Sequence, residues 1–133
     1  GDIHLKNFGA ERGSQISPAK DAMEYGMKFT FHQDAPVVPP DMMRTVSCAV
    51  NRRSKTGQVI GENQRIPVLE ALKAITVYAA YQYGEEHEKG TITVGKTADF
   101  VVLDRNPLET ESEKLAEIQV CMTVKDNEIV YKK

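Results

Sequence analysis

The sequence predicts an α/β chain in two compositional halves, α/β through residue 89 and all-β from residue 90. Three observations carry that reading. Before residue 89, three stretches place apolar residues at helical spacing. Among them one stretch, 27–32, alternates apolar and polar residues as a strand does. Beyond Gly90 the apolar period changes to two.

In chain order, residues 1–16 are polar, and Gly9 and Gly13 break any periodicity. Ser17-Pro18 reads as an N-cap followed by proline at the first helical position, where its missing N–H costs nothing. The helix then runs over 18–25, and Gly26 ends it in a left-handed conformation. Met27-Lys28-Phe29-Thr30-Phe31-His32 is the predicted strand, closed by Gln33-Asp34-Ala35-Pro36 and a loop carrying Pro36, Pro39 and Pro40. Asp41 caps a second helix over 42–53, with Met43, Val46 and Val50 on one face. Gly57 and Gly61 frame a loop. Pro67 opens the longest predicted helix, 68–83, with Leu69, Leu72, Ile75 and Ala79-Ala80 among its apolar positions and Gly84 at its end. Residues 90–96 read as a short strand and turn, and 98–104 as a strand with an apolar core. Asn106-Pro107 stops it, and 108–115 forms at most a short helical turn. Strands over 118–124 and 128–131 are joined by Lys125-Asp126-Asn127 as a tight hairpin.

The chain has 133 residues, with 17 Lys+Arg against 19 Asp+Glu and a net charge of −2. Lys and Arg concentrate nowhere, which argues against nucleic acid as a partner. No apolar run approaches the roughly 20 residues that span a bilayer, so no membrane partner is expected. With no secretory signal at the start, the chain reads as cytoplasmic. It begins with Gly1 rather than Met, which is expected of a processed chain or of a piece of something longer. Cys48 and Cys121 sit in apolar contexts without a CxxC and read as buried, reduced thiols. The halves each look incomplete: one strand makes no sheet, and four short strands over 90–133 need something to pack on.

The chemistry-bearing candidates are few. His32-Gln33-Asp34 falls at the C-terminal end of the predicted strand. In α/β barrels that edge carries the catalytic groups. An Asp there suits a divalent metal or a proton from metal-bound water, and equally an ordinary turn in which it bonds its own backbone. His4 lies in the polar N-terminal stretch as a substrate contact or a surface residue. His87 reads as a solvated linker residue, and Arg52-Arg53-Ser54-Lys55 as a group that suits an acidic ligand or, more simply, as a solvated helix end. No phosphate-binding glycine loop and no serine nucleophile elbow is present.

Three runs together resemble a known family: 31–37 (FHQDAPV), 66–76 (IPVLEALKAIT) and above all 90–104 (GTITVGKTADFVVLD). The last looks like the segment after the barrel in amidohydrolase-superfamily enzymes. Gly9-Ala10-Glu11-Arg12, Ala49-Val50-Asn51-Arg52 and Asn106-Pro107-Leu108 narrow the resemblance to amidohydrolase family 3, some of whose members are described as exoenzyme regulatory proteins. It covers essentially the whole chain. The resemblance implies that residues 1–89 are the C-terminal part of a (β/α)8 TIM barrel and residues 90–133 are strands of a small β-sandwich. It implies metal-dependent hydrolysis of amide- or imide-like C–N bonds, with zinc as the expected metal and a small-molecule amide as the partner. Asp34 matches the Asp at the end of the last barrel strand, both catalytic and a metal ligand; His4 and His32 are expected substrate contacts. The family's HxH and other metal-binding histidines have no match, and a barrel needs about 250 residues. The chain alone is therefore expected to be inactive, to hold no stoichiometric metal and to self-associate. A non-enzymatic binding or regulatory module on the same scaffold is the alternative.

Overall fold

Val46, Ala71 and Leu115 are fully buried and meet in a single core with Ala19, Met43, Ala49, Ile66 and Ile118. These residues come from both halves of the chain. The computed structural model describes all 133 residues. Five helices precede a three-stranded sheet: α1 (Asp2–Ser14), α2 (Ala19–Glu24), α3 (Met42–Asn51), α4 (Val68–Ala74), α5 (Val77–Tyr83), β1 (Phe100–Leu103), β2 (Val120–Lys125) and β3 (Glu128–Lys132). Short 3-10 turns lie at Glu62–Gln64 and Ser112–Glu117. The sheet is antiparallel throughout, in the order β1-β2-β3. No helix is long and apolar enough to cross a membrane.

The capped elements form as their end residues dictate. Asp41 accepts the backbone N–H of Arg44 at 3.0 Å and starts α3. Met43 and Val46 turn into the core, with Val50 packed beside them. Gly84 closes α5 in the left-handed region, at φ 71°. The β2–β3 hairpin pairs Lys125 with Glu128, leaving Asp126 and Asn127 as the two turn residues. Both have positive φ, which is the geometry of a type I′ turn.

Elsewhere the structure corrects the sequence reading. Residues 2–14 are helical rather than irregular; Gly9, at φ 75° and ψ 169°, only kinks the helix. Ser17, at φ 49°, does not cap α2. Gln64 does so from across the chain: its Oε1 accepts the backbone N–H groups of Lys20 and Asp21 at 3.1 and 3.2 Å. Its Nε2 donates to Asp21 at 2.8 Å. The predicted helix over 68–83 is two helices, broken at Ile75-Thr76, where the Thr76 hydroxyl donates to the Leu72 carbonyl at 2.7 Å. That local bond competes with the helical ladder. Residues 90–96 form turns, not a strand, and Ile92 and Val94 stand in solvent.

Residues 28–33 belong to no helix, turn or strand, but their side chains pack as those of an extended, unpaired chain would. None of them takes part in a backbone–backbone hydrogen bond. Phe29 and Phe31, two apart, both pack on the core, as one face of a strand would. Their rings are 5.5 Å apart, and Phe29 also meets Tyr78 of α5 at 6.2 Å. The side chains thus behave as strand side chains while the backbone lacks neighbours.

The total exposed surface agrees with that picture. The chain exposes 9174 Å² at 14.8 kDa, where a compact protein of that mass exposes about 7,000 Å². The apolar residues of the sheet contribute, with Val101, Ile129, Val130 and Tyr131 all exposed.

Gln64 is 1% exposed, so its bonds to α2 have no water to replace them. Substituting Gln64→Ala is expected to destabilise the chain by about 1–3 kcal/mol, because two N–H groups lose their acceptor. Thermal denaturation followed by circular dichroism measures this; an unchanged melting temperature contradicts the role.

Candidate active site

The extended segment ends at Asp34, and a pocket opens there. Asp34 sits in the left-handed region at φ 57°, which a short polar side chain tolerates. Its carbonyl accepts the Val37 N–H at 2.8 Å, so the backbone makes the turn. The carboxylate makes no hydrogen bond within the chain. The turn therefore explains the residue's backbone and leaves its side chain uncommitted.

The pocket has a volume of about 350 Å³, with Phe31, His32 and Asp34 on one wall. Helix α3 also lines it, presenting Arg44 and Cys48 one helical turn apart, and Arg52 follows at the end of the helix. The same helix buries Met43 and Val46 in the core. One amphipathic element thus ties the pocket to the packed centre.

Arg52 is not the solvated helix end that the sequence suggested. It stands in the left-handed region after α3, at φ 55°. Its Nε donates to the Ile60 carbonyl at 2.9 Å, and its two terminal nitrogens donate to Ser17 and Ile16 at 3.0 and 2.7 Å. Burial draws its guanidinium below the ordinary arginine range. The residue latches the α1–α2 connection to the loop after α3. Gly61 completes that junction, because a Cβ there would collide with the Ser14 carbonyl.

The structure brings His32 and Asp34 to one pocket. His4 is elsewhere: it is exposed on α1, with its ring 6.0 Å from that of Phe8. His87 is 91% exposed beside Glu86. Cys48 is exposed on the pocket wall rather than buried, Cys121 is half-buried, and both are free thiols. No group of three His, Cys, Asp or Glu side chains is placed to hold a metal ion.

Outside the pocket, the tightest charged cluster braces the α4–α5 break. Lys73 donates to Glu70 at 2.6 Å and the Tyr78 hydroxyl donates to the same carboxylate at 3.1 Å. The Lys73 bond holds the Glu70 carboxyl below its ordinary range, and Glu70 in turn raises Lys73. Sequence reasoning overlooked Gln64 and Asn51, which bond partners far along the chain. Asn51 Nδ2 donates to the Ser112 carbonyl at 2.7 Å. Neither lies in a local pattern that would have pointed to it.

The model of the family described as amidohydrolase family matches residues 1–131. An N-substituted formamide deformylase of Arthrobacter pascens is 29% identical over 133 residues, covering 98% of this chain and 22% of that protein. A metal-dependent hydrolase of Pyrococcus horikoshii OT3 superposes with a TM-score of 0.68 at 27% identity, over 82% of this chain and 23% of its own. An amidohydrolase of Thermotoga maritima MSB8 shares the fold, with a TM-score of 0.63 at 22% identity, over 86% of this chain and 26% of its own. The chain spans about a quarter of the length of the curated relatives it matches.

Proposed function

The chain belongs to the amidohydrolase family, and from that premise we propose that it is the C-terminal part of a metal-dependent hydrolase of amide-like carbon–nitrogen bonds. In this reading residues 28–33 are the last strand of a (β/α)8 barrel, and β1–β3 belong to a small β-sandwich completed by strands outside the chain. Residues 1–89 and 90–133 are the corresponding two parts. The observation that carries the reading is the free carboxylate of Asp34, held at the end of an extended, unpaired segment on the wall of a pocket.

Asp34 is the proton carrier. Its carboxylate takes a proton from the attacking water and returns it to the leaving amine nitrogen as the C–N bond breaks. His32, on the same wall, contacts the substrate. His4 lies outside this pocket, and its proposed substrate contact rests on the family resemblance alone. The residues of this chain do not make up a metal site. Zinc takes three or four protein ligands, and the pocket wall offers Asp34 and His32. A divalent metal, zinc in this reading, is held in the complete protein mainly by ligands outside these residues, and the chain alone is inactive.

Changing Asp34→Asn in the complete protein is expected to lower amide hydrolysis by about 10²–10⁴-fold, with the circular dichroism spectrum unchanged. Turnover at the wild-type rate would remove Asp34 from the mechanism.

The surplus exposed surface and the unpaired backbone of 28–33 also lead us to propose that the isolated chain self-associates. Light scattering on a size-exclusion column should report a mass above one chain. A monomer at high concentration contradicts it.

A further inference from the structure

Several polar side chains on the pocket wall are already spoken for. Asp41 accepts the Arg44 backbone N–H. Gln33 donates to Thr45 at 2.8 Å. Arg52 is spent on three carbonyls. Among the charged and imidazole side chains, that leaves Asp34, His32 and Arg44. The Arg44 guanidinium makes no hydrogen bond and no ion pair.

Arg44 lies in the first turn of α3, just behind the Asp41 cap, and is exposed on the pocket wall. An open guanidinium fork suits a planar anion, above all a carboxylate held by two parallel hydrogen bonds.

We infer that Arg44 is a specificity-determining residue that binds a carboxylate carried by the amide substrate. The inference rests on reading the pocket as the hydrolase site. The carboxylate takes the Arg44 guanidinium and stays clear of the Asp34 and Asp41 carboxylates that also line the pocket, and the amide lies beside Asp34. Neutral amides lack the group that Arg44 takes, and they bind more weakly.

The test is an NMR titration of the 133-residue chain with N-acetylglycine and with its neutral amide, N-acetylglycinamide. The signals followed are the Arg44 side-chain N–H and the amides of residues 31–34. N-acetylglycine is expected to bind at least about tenfold more tightly. Arg44→Gln should remove that preference, and Arg44→Lys should restore only part of it, because lysine keeps the charge without the fork. The Arg44→Gln variant should melt close to the wild-type temperature, because the guanidinium has no partner in the fold to lose, which separates lost binding from lost folding. Equal affinity for the two probes, no binding of N-acetylglycine, or a preference that survives Arg44→Gln would each overturn the inference. The titration involves no turnover, so it can fail while Asp34→Asn still abolishes hydrolysis, and the reverse.

Discussion

An extended backbone has to place its N–H and C=O groups somewhere, and residues 28–33 place none of theirs on the rest of the chain. Their side chains are nevertheless anchored. Phe29 and Phe31 pack on the core, Thr30 donates to Gln82 at 2.7 Å, and Gln33 donates to Thr45. The segment is therefore held by its side chains while its backbone groups stay unpaired. The position of Asp34, the pocket beyond it and the surplus surface around it all follow from that arrangement.

Helix α3 converts the anchoring into a site. Its core face fixes it against Leu115 and Ile118 of the C-terminal half, and Asn51 ties its last turn to Ser112. Its other face forms the pocket wall. Arg52 then joins two separate stretches of backbone, Ile16-Ser17 and Ile60, to the end of the helix, so this side of the pocket is tied by satisfied hydrogen bonds. Within this frame the Asp34, His32 and Arg44 side chains make no hydrogen bond within the chain.

What could be read from the sequence was local. The Asp41 cap, the Gly84 stop and the Asp126-Asn127 turn depend on residues within a few positions of one another, and each formed where expected. Asp34 was legible as a turn residue closing an alternating run; that its carboxylate would be free of the turn was not. What escaped was either unpatterned or remote. Helix α1 has no apolar stripe to give it away. The cap of α2 comes from Gln64, more than 40 residues further on. The predicted strands at 27–32 and 90–96 had the right alternation, but alternation describes side chains and says nothing about whether a neighbouring backbone is present. Thr76 broke a helix whose apolar spacing continued through it, because a hydroxyl-to-carbonyl bond leaves no trace in periodicity.

We propose that residues 28–33 are a barrel strand whose neighbours lie outside this chain. Hydrogen exchange on the complete protein measures that directly. The amides of 28–33, which have no acceptor here, are predicted to exchange there as slowly as those of the protein's paired core strands. Exchange at the rate of an exposed loop would contradict the account.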